Sequence, residues 1–117
     1  MPTTVLIVDD HAGFRTNARA VLESEGFSVV GEAASGAQAL EAVARDRPEV
    51  VLLDVQLPDA DGFELAARLT SNGSTVNVVL VSSRDYSDFV QLIERSGARG
   101  FVPKAELSGA RLAALVK

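Results

Sequence analysis

The chain contains no cysteine and no tryptophan, and only one histidine. Without cysteine there is no disulfide framework, no thiol nucleophile and no thiolate metal site. A single histidine does not by itself make a zinc site. Positive charge is also scarce: 11 Lys and Arg stand against 16 Asp and Glu, a net charge of −5. A nucleic-acid-binding surface needs clustered cations to neutralise phosphates, so this balance argues against nucleic acid as a partner of the chain itself. Long apolar runs are missing too. The first, Val5 to Val8, stops at Asp9 and Asp10 with no basic run before it, which excludes a signal peptide or a membrane span and makes the expected location cytoplasmic. What remains is 117 residues with a 47% hydrophobic share. That is enough for one domain, 1–117, whose core needs neither disulfide nor metal.

Short β-branched runs alternate along the chain with segments of helical periodicity. The runs Val5–Val8, Ser28–Ala33, Val50–Leu53, Val76–Val81 and Gly100–Val102 are predicted strands. Most are continuous Val, Leu and Ile, the pattern of strands buried on both faces. Between them, Phe14, Ala18, Val21 and Leu22 form one apolar stripe, and Leu40 with Val43 a second. Leu65, Ala66 and Leu69 make a third, Phe89, Val90 and Ile93 a fourth, and Leu112, Leu115 and Val116 a fifth. Ser35 with Gln38, and Asp61 with Glu64, read as capping boxes, while Gly26 and Gly73 read as helix stops. Five strand–helix repeats imply right-handed crossovers and a doubly wound α/β fold with a five-stranded parallel sheet.

In such sheets the ligand site lies beyond the carboxyl ends of the strands. Asp9 and Asp10 follow the first predicted strand, Asp54 ends the third, Ser82 ends the fourth, and Lys104 lies just past the fifth. Each alone has an ordinary reading: an Asp pair starts a helix, Asp54 caps a turn, Ser82 is a loop hydroxyl and Lys104 a solvated charge. Together at one edge they point to chemistry. Three crowded carboxylates repel one another, so ionising all three requires a cation. Oxygen ligands suit Mg²⁺, which bridges carboxylates to phosphoryl oxygens. A carboxylate can be the nucleophile that takes up a phosphoryl group, with a lysine ammonium and a serine hydroxyl facing the phosphoryl oxygens.

At this point the sequence resembles the receiver domain of bacterial two-component response regulators, over Val5 to Val116. Ile7-Val8-Asp9-Asp10-His11 resembles the family's acidic pair, and Leu53-Asp54-Val55-Gln56-Leu57-Pro58-Asp59-Ala60-Asp61-Gly62 its phosphoacceptor segment. Ser82 resembles the hydroxyl switch residue, Phe101 the aromatic switch position and Lys104 the invariant lysine. The segment Gly100-Phe101-Val102-Pro103-Lys104-Ala105-Glu106-Leu107 looks most like receivers that precede a helix-turn-helix DNA-binding domain. The resemblance implies strand order 2-1-3-4-5 and a phosphorylation-driven switch. Asp54 is then phosphorylated by a sensor histidine kinase, Asp10 binds Mg²⁺ directly, Asp9 acts chiefly through water, and the Gln56 carbonyl is a ligand. It also implies that the chain catalyses only its own phosphorylation and dephosphorylation, and that transcription is the output. The face formed by the fourth helix, fifth strand and fifth helix becomes the partner or homodimer surface.

Two departures stand out: Pro103 precedes Lys104 and Ala105 follows it, where many receivers have Lys then Pro, and the residue after Ser82 is Ser83 rather than a smaller one. Gln56 and Arg84, two residues beyond Asp54 and Ser82, are the loop positions expected to overhang an acyl phosphate and set its lifetime; a solvated Arg84 paired with Asp85 or Asp88 is the plainer reading. His11 is read as a helix-start residue, and Arg15, Arg19 and Glu23 as a polar face. Three rival classes are weaker. A phosphohydrolase with an Asp nucleophile typically needs a second acid where Gln56 stands. A flavodoxin-like cofactor protein needs a phosphate loop where Asp9-Asp10-His11-Ala12-Gly13 would repel phosphate. A degenerate receiver, acting as a phosphorylation-independent interaction module, conflicts with the filled acidic and basic positions.

Overall fold

Alternation along the strands divides the core into two layers. The computed structural model describes residues 2–71, 73–84 and 89–116; the suggested Arg84 partners Asp85 and Asp88 lie outside them. Strands β1 (Thr4–Val8), β2 (Ser28–Ala33), β3 (Val50–Asp54), β4 (Asn77–Ser82) and β5 (Gly100–Pro103) form one parallel sheet in the order β2-β1-β3-β4-β5. Helices α1 (Ala12–Ser24), α2 (Gly36–Asp46), α3 (Gly62–Thr70), α4 (Val90–Arg95) and α5 (Gly109–Val116) cover both faces. Successive strand residues point to opposite faces. Leu6, Val8, Val51, Leu53, Val78 and Leu80 therefore meet α2, α3 and Ile93 of α4. Val5, Ile7, Val50, Leu52, Val79 and Val81 meet Ala18 and Leu22 of α1 and Leu112 of α5. The central strands β1, β3 and β4 are covered on both faces, whereas the edge strands are less so: Val30 of β2 stays exposed and β5 is largely half-buried.

The strands run one residue further into polar sequence than the apolar runs suggest. Asp54 pairs with Val81 and Ser82 with Pro103, so the ladder carries both polar side chains to the sheet's carboxyl edge. At the other end of β4, Val76 lies outside the strand. Ser35 caps α2 as expected, its Oγ accepting the Gln38 N–H at 3.2 Å, but the Gln38 side chain accepts from Ala34 N–H rather than closing the box on Ser35. Asp61 caps α3 by accepting from Phe63 and Glu64. Gly26 follows the α1 C-cap at φ +93°, a left-handed conformation that glycine adopts without strain. Gly73 does not stop α3, which ends at Thr70 with Ser71 as its C-cap. The left-handed residue ending α2 is Arg47, φ 45°.

Two contacts fix the loop between β3 and α3. Asp59 accepts hydrogen bonds from the N–H groups of Gly36 (2.7 Å) and Ala37 (3.1 Å), docking the loop on the start of α2. These donors hold its carboxyl below the usual range. Gly62 presses on the loop's other end: a Cβ there would sit 2.3 Å from the Asp54 carbonyl oxygen and 2.5 Å from Val55 Cα. Both obstacles are backbone, so no rotamer relieves the clash. Alanine normally gains a helix position about 1 kcal/mol over glycine, whereas overpacking costs about 1–3 kcal/mol. Gly62→Ala should therefore lower the urea midpoint, with a net loss of about 1 kcal/mol; equal or greater stability would show that the backbone yields.

Candidate functional site

The central strands place two carboxylates side by side. β1 and β3 are neighbours with Val8 opposite Leu53, so Asp9 and Asp54 occupy adjoining positions where the chain leaves the core. Both are buried, Asp9 at 0% and Asp54 at 4% exposure. Lys104 enters from the turn Lys104–Glu106 after β5. Its Nζ lies 2.6 Å from Asp9 Oδ2 and 3.4 Å from Asp54 Oδ2. It also stands 4.7 Å from the centre of the Phe14 ring, where the ring's negative face attracts the ammonium. The contact to Asp9 is an ion pair without hydrogen-bond geometry, leaving Oδ2 a buried oxygen with no hydrogen-bond partner. Burial, and next the Asp9 charge, push the Asp54 carboxyl above its ordinary value, while Lys104 and the Gln56 N–H pull the other way.

The acidic loop is held from below and from outside. Arg15 donates to the Asp9 carbonyl oxygen at 2.6 Å and to Glu32 at 3.1 Å, and Arg19 bonds the other Glu32 oxygen at 2.8 Å. The bond from Arg19 leads in holding the Glu32 carboxyl below its usual range. The expected polar face of α1 is thus, at Arg15, a brace for the Asp9 backbone. His11 also does more than start a helix. Its backbone N–H donates to Asp9 Oδ1 at 2.8 Å, and its Nδ1 lies 2.9 Å from that oxygen and 3.2 Å from Asp10 Oδ1. Donor atoms of Asp9, Asp10, His11 and Asp54 all fall within 4.8 Å of one another. One ammonium does not neutralise three carboxylates. The donor set is therefore chemically suited to a divalent cation with oxygen ligands.

Above the carboxylates opens a cleft of about 620 Å³, lined among others by Asp10, Asp54, Gln56, Ser82, Arg84 and Lys104. Ser82 is buried at its edge and its Oγ accepts the Arg84 N–H at 3.0 Å. The Arg84 guanidinium lies 5.1 Å over the Phe89 ring. Phe89 in turn packs on Phe63 at 5.3 Å and on Phe101 at 5.9 Å between ring centres. The sequence-predicted residues Asp9, Asp10, Asp54, Gln56, Ser82, Arg84 and Lys104 thus meet at one edge. Phe101 is half-buried and reaches the cleft through Phe89. Phe14 and Phe89 went unnoticed as site residues because their spacing also fits a helix's core-facing stripe. All described peptide bonds are trans, including Pro103–Lys104.

Five parallel strands in the order 2-1-3-4-5, with an acidic pocket and a lysine at their carboxyl edge, make this a doubly wound α/β protein. The chain belongs to the response regulator receiver domain family, whose model matches residues 5–117. Its relatives include BvgA of Bordetella pertussis, whose name describes a positive transcription regulator of virulence factors; the identity is 40% over 106 residues, covering 91% of this chain and 51% of BvgA. The chain spans about half the length of the curated relatives it matches. Among solved structures, the signal receiver domain of the response regulator NarL from Mycobacterium tuberculosis superposes with a TM-score of 0.86 at 35% identity, covering 97% of this chain and 96% of that one. A LuxR-family two-component response regulator from Aurantimonas sp. SI85-9A1 gives 0.86 at 28% identity, covering 98% and 86%. Among the described residues no helix is long and apolar enough to cross a membrane.

The raised Asp54 carboxyl has a thermodynamic consequence. A folded-state value above the ordinary 3.8 means the folded chain binds the proton more tightly, so stability falls as pH rises from that value through the folded one. Asp54→Asn removes the buried charge. In chelator-containing buffer at pH 7 the variant should melt a few degrees higher, and its advantage should shrink as the pH is lowered toward 4. A variant that melts lower at pH 7 would mean that Lys104 more than compensates the charge.

Proposed function

We propose that this chain is the phosphoacceptor unit of a two-component relay, taking a phosphoryl group from a sensor histidine kinase onto Asp54. The observation that carries this is buried Asp54 paired with Lys104 in the lining of an open cleft, with buried Asp9 against the same ammonium. In the transfer, an Asp54 carboxylate oxygen attacks phosphorus, a P–O bond forms, the P–N bond of phosphohistidine breaks, and the imidazole leaves with a proton. Lys104 exchanges its contact with Asp54 Oδ2 for a phosphoryl oxygen, and Ser82 Oγ donates to another. Asp10, Asp54 and the Gln56 carbonyl would hold Mg²⁺, with Asp9 acting through water. When bound, the metal supplies the positive charge that three carboxylates and a phosphoryl group together demand.

Ser82 moving toward the phosphoryl group would open space beside β5, and Phe101, packed on Phe89, is placed to follow. A local charge event then becomes a packing event across α4, β5 and α5, the face we assign to a partner or a second copy. The transcription-regulator relatives support a transcriptional output, exerted through a DNA-binding domain following this one, in the cytoplasm. Radiolabel from acetyl phosphate should appear on the wild type only with Mg²⁺ and never on Asp54→Asn. In beryllofluoride-treated protein, amide shifts should concentrate from Ser82 to Glu106, with dimerisation read by sedimentation. Full labelling of the Asn variant would overturn the acceptor assignment, shifts gathered on α1 and β2 the switch, and a monomer throughout the homodimer. A wild type that takes no label with Mg²⁺ present would instead favour a phosphorylation-independent interaction module.

Gln56 and Arg84 are proposed to set how long the phosphoryl group survives. Water must approach in line with the departing carboxylate oxygen, so side chains over the cleft position or exclude it. The contact with Phe89 keeps the Arg84 guanidinium on the cleft wall, within the region from which a cation shields phosphoryl oxygens. Arg84→Ala should speed loss of phosphate at least threefold, a barrier change of only about 0.6 kcal/mol. The measurement is decay of label in excess Mg²⁺ without kinase, and an unchanged or slower rate rejects the shielding role.

A further inference from the structure

The acidic cluster includes one donor that is not an oxygen. His11 Nδ1 lies 2.9 Å from Asp9 Oδ1 and 3.2 Å from Asp10 Oδ1. Adjacent ligands of an octahedral ion with bonds of about 2.1 Å stand about 3 Å apart. Each of these carboxylate oxygens therefore stands at neighbouring-ligand distance from Nδ1. The two Asp9 oxygens are divided: Oδ2 faces the Lys104 ammonium, and Oδ1 faces His11 and the acidic loop. The His11 side chain is 67% exposed, and when a cation takes the place of the Nδ1 proton the ring keeps its remaining proton on Nε2.

We propose that His11 makes this cluster a mixed nitrogen–oxygen site that selects borderline divalent transition ions over Mg²⁺, with Nδ1 a direct ligand. The inference rests on reading the pocket as a divalent-cation site, and adds which cations it prefers and why. Imidazole adds little to the binding of hard Mg²⁺ but much to that of ions further along the Irving–Williams order, such as Co²⁺ and Ni²⁺. The chain has one histidine and no cysteine, so no other side chain offers such a ligand. An ion held this way would occupy the phosphorylation cleft and compete with Mg²⁺ for it.

The rival account of the same contact is a hydrogen bond from Nδ1–H that merely orients Asp9. The two accounts separate by titration calorimetry of the tag-free chain at pH 8 with MgCl₂ and with NiCl₂. The wild type, His11→Ala, and His11→Asn, which keeps a hydrogen-bond donor but not the imidazole, are compared. The expected result is a loss of roughly tenfold or more in Ni²⁺ affinity for both variants, with Mg²⁺ affinity changed less than about twofold. In Co²⁺-loaded wild type, the ring protons of the lone histidine should be shifted far outside the diamagnetic range. Equal losses for both metals, Ni²⁺ binding restored by Asn, or an unshifted imidazole would overturn the direct-ligand role while leaving a cation site standing. Failure of the wild type to bind either ion would overturn the cation reading itself.

Discussion

Two carboxylates sealed beside each other, sharing one ammonium, are the constraint on which the rest of this structure turns. Asp9 is fully buried and Asp54 nearly so, and Lys104 touches both. Removing the ammonium would leave two buried carboxylates uncompensated, a loss that commonly costs about 3–5 kcal/mol. Such a cluster persists only if the backbone gives its members no alternative position. Asp9 is fixed through its carbonyl by Arg15, Asp54 through its place in the β3–β4 ladder, and the chain after Asp54 by the close approach of Gly62. Lys104 is limited by the Phe14 ring on one side and the acids on the other. The site is therefore held charged and under-neutralised, ready for further positive charge.

How much of this was legible in the sequence follows from the range of each interaction. The strands were legible because burial on both faces demands unbroken Val, Leu and Ile, and the site because every polar residue ending such a run falls at the same sheet edge. Ser35 and Asp61 were legible because capping is decided within a few residues. The braces were not. Arg15 reaching the Asp9 carbonyl and Glu32, Asp59 capping a helix 23 residues upstream, and Phe14 meeting Lys104 each depend on which helices the fold lays together. Arg47 in a left-handed conformation was invisible because glycine is the usual signal for it.

The two sides of the cleft differ in construction. On the β1 and β3 side the functional groups sit on fully buried strands and are cross-braced by α1. β4 is buried to the same degree, but beyond it the cleft is lined by Arg84 and Phe89, whose neighbours are a half-buried Phe101 and a helix of six residues. Close-packed interiors resist small displacements, whereas segments with little buried apolar surface shift at low cost. A charge arriving at Asp54 therefore meets a wall that holds still and a wall that can move.

The aromatic chain gives that second wall its direction. Phe63 belongs to α3 and is buried, Phe89 stands at the head of α4, and Phe101 lies in β5. Ring pairs of this kind prefer tilted over flat stacking and contribute about 0.5–1.5 kcal/mol each beyond burial; both pairs here are tilted at 52°. Phe89 is the shared member, and Arg84 lies on its face. A change in either Arg84 or Phe101 must therefore be accommodated at Phe89, while Phe63 stays anchored in the core. Because Arg84 N–H is bonded to Ser82 Oγ, the hydroxyl nearest the chemistry and the ring nearest the α4–β5 surface are only two contacts apart. The path from buried carboxylate to outer face is short because one phenylalanine at a helix start joins both.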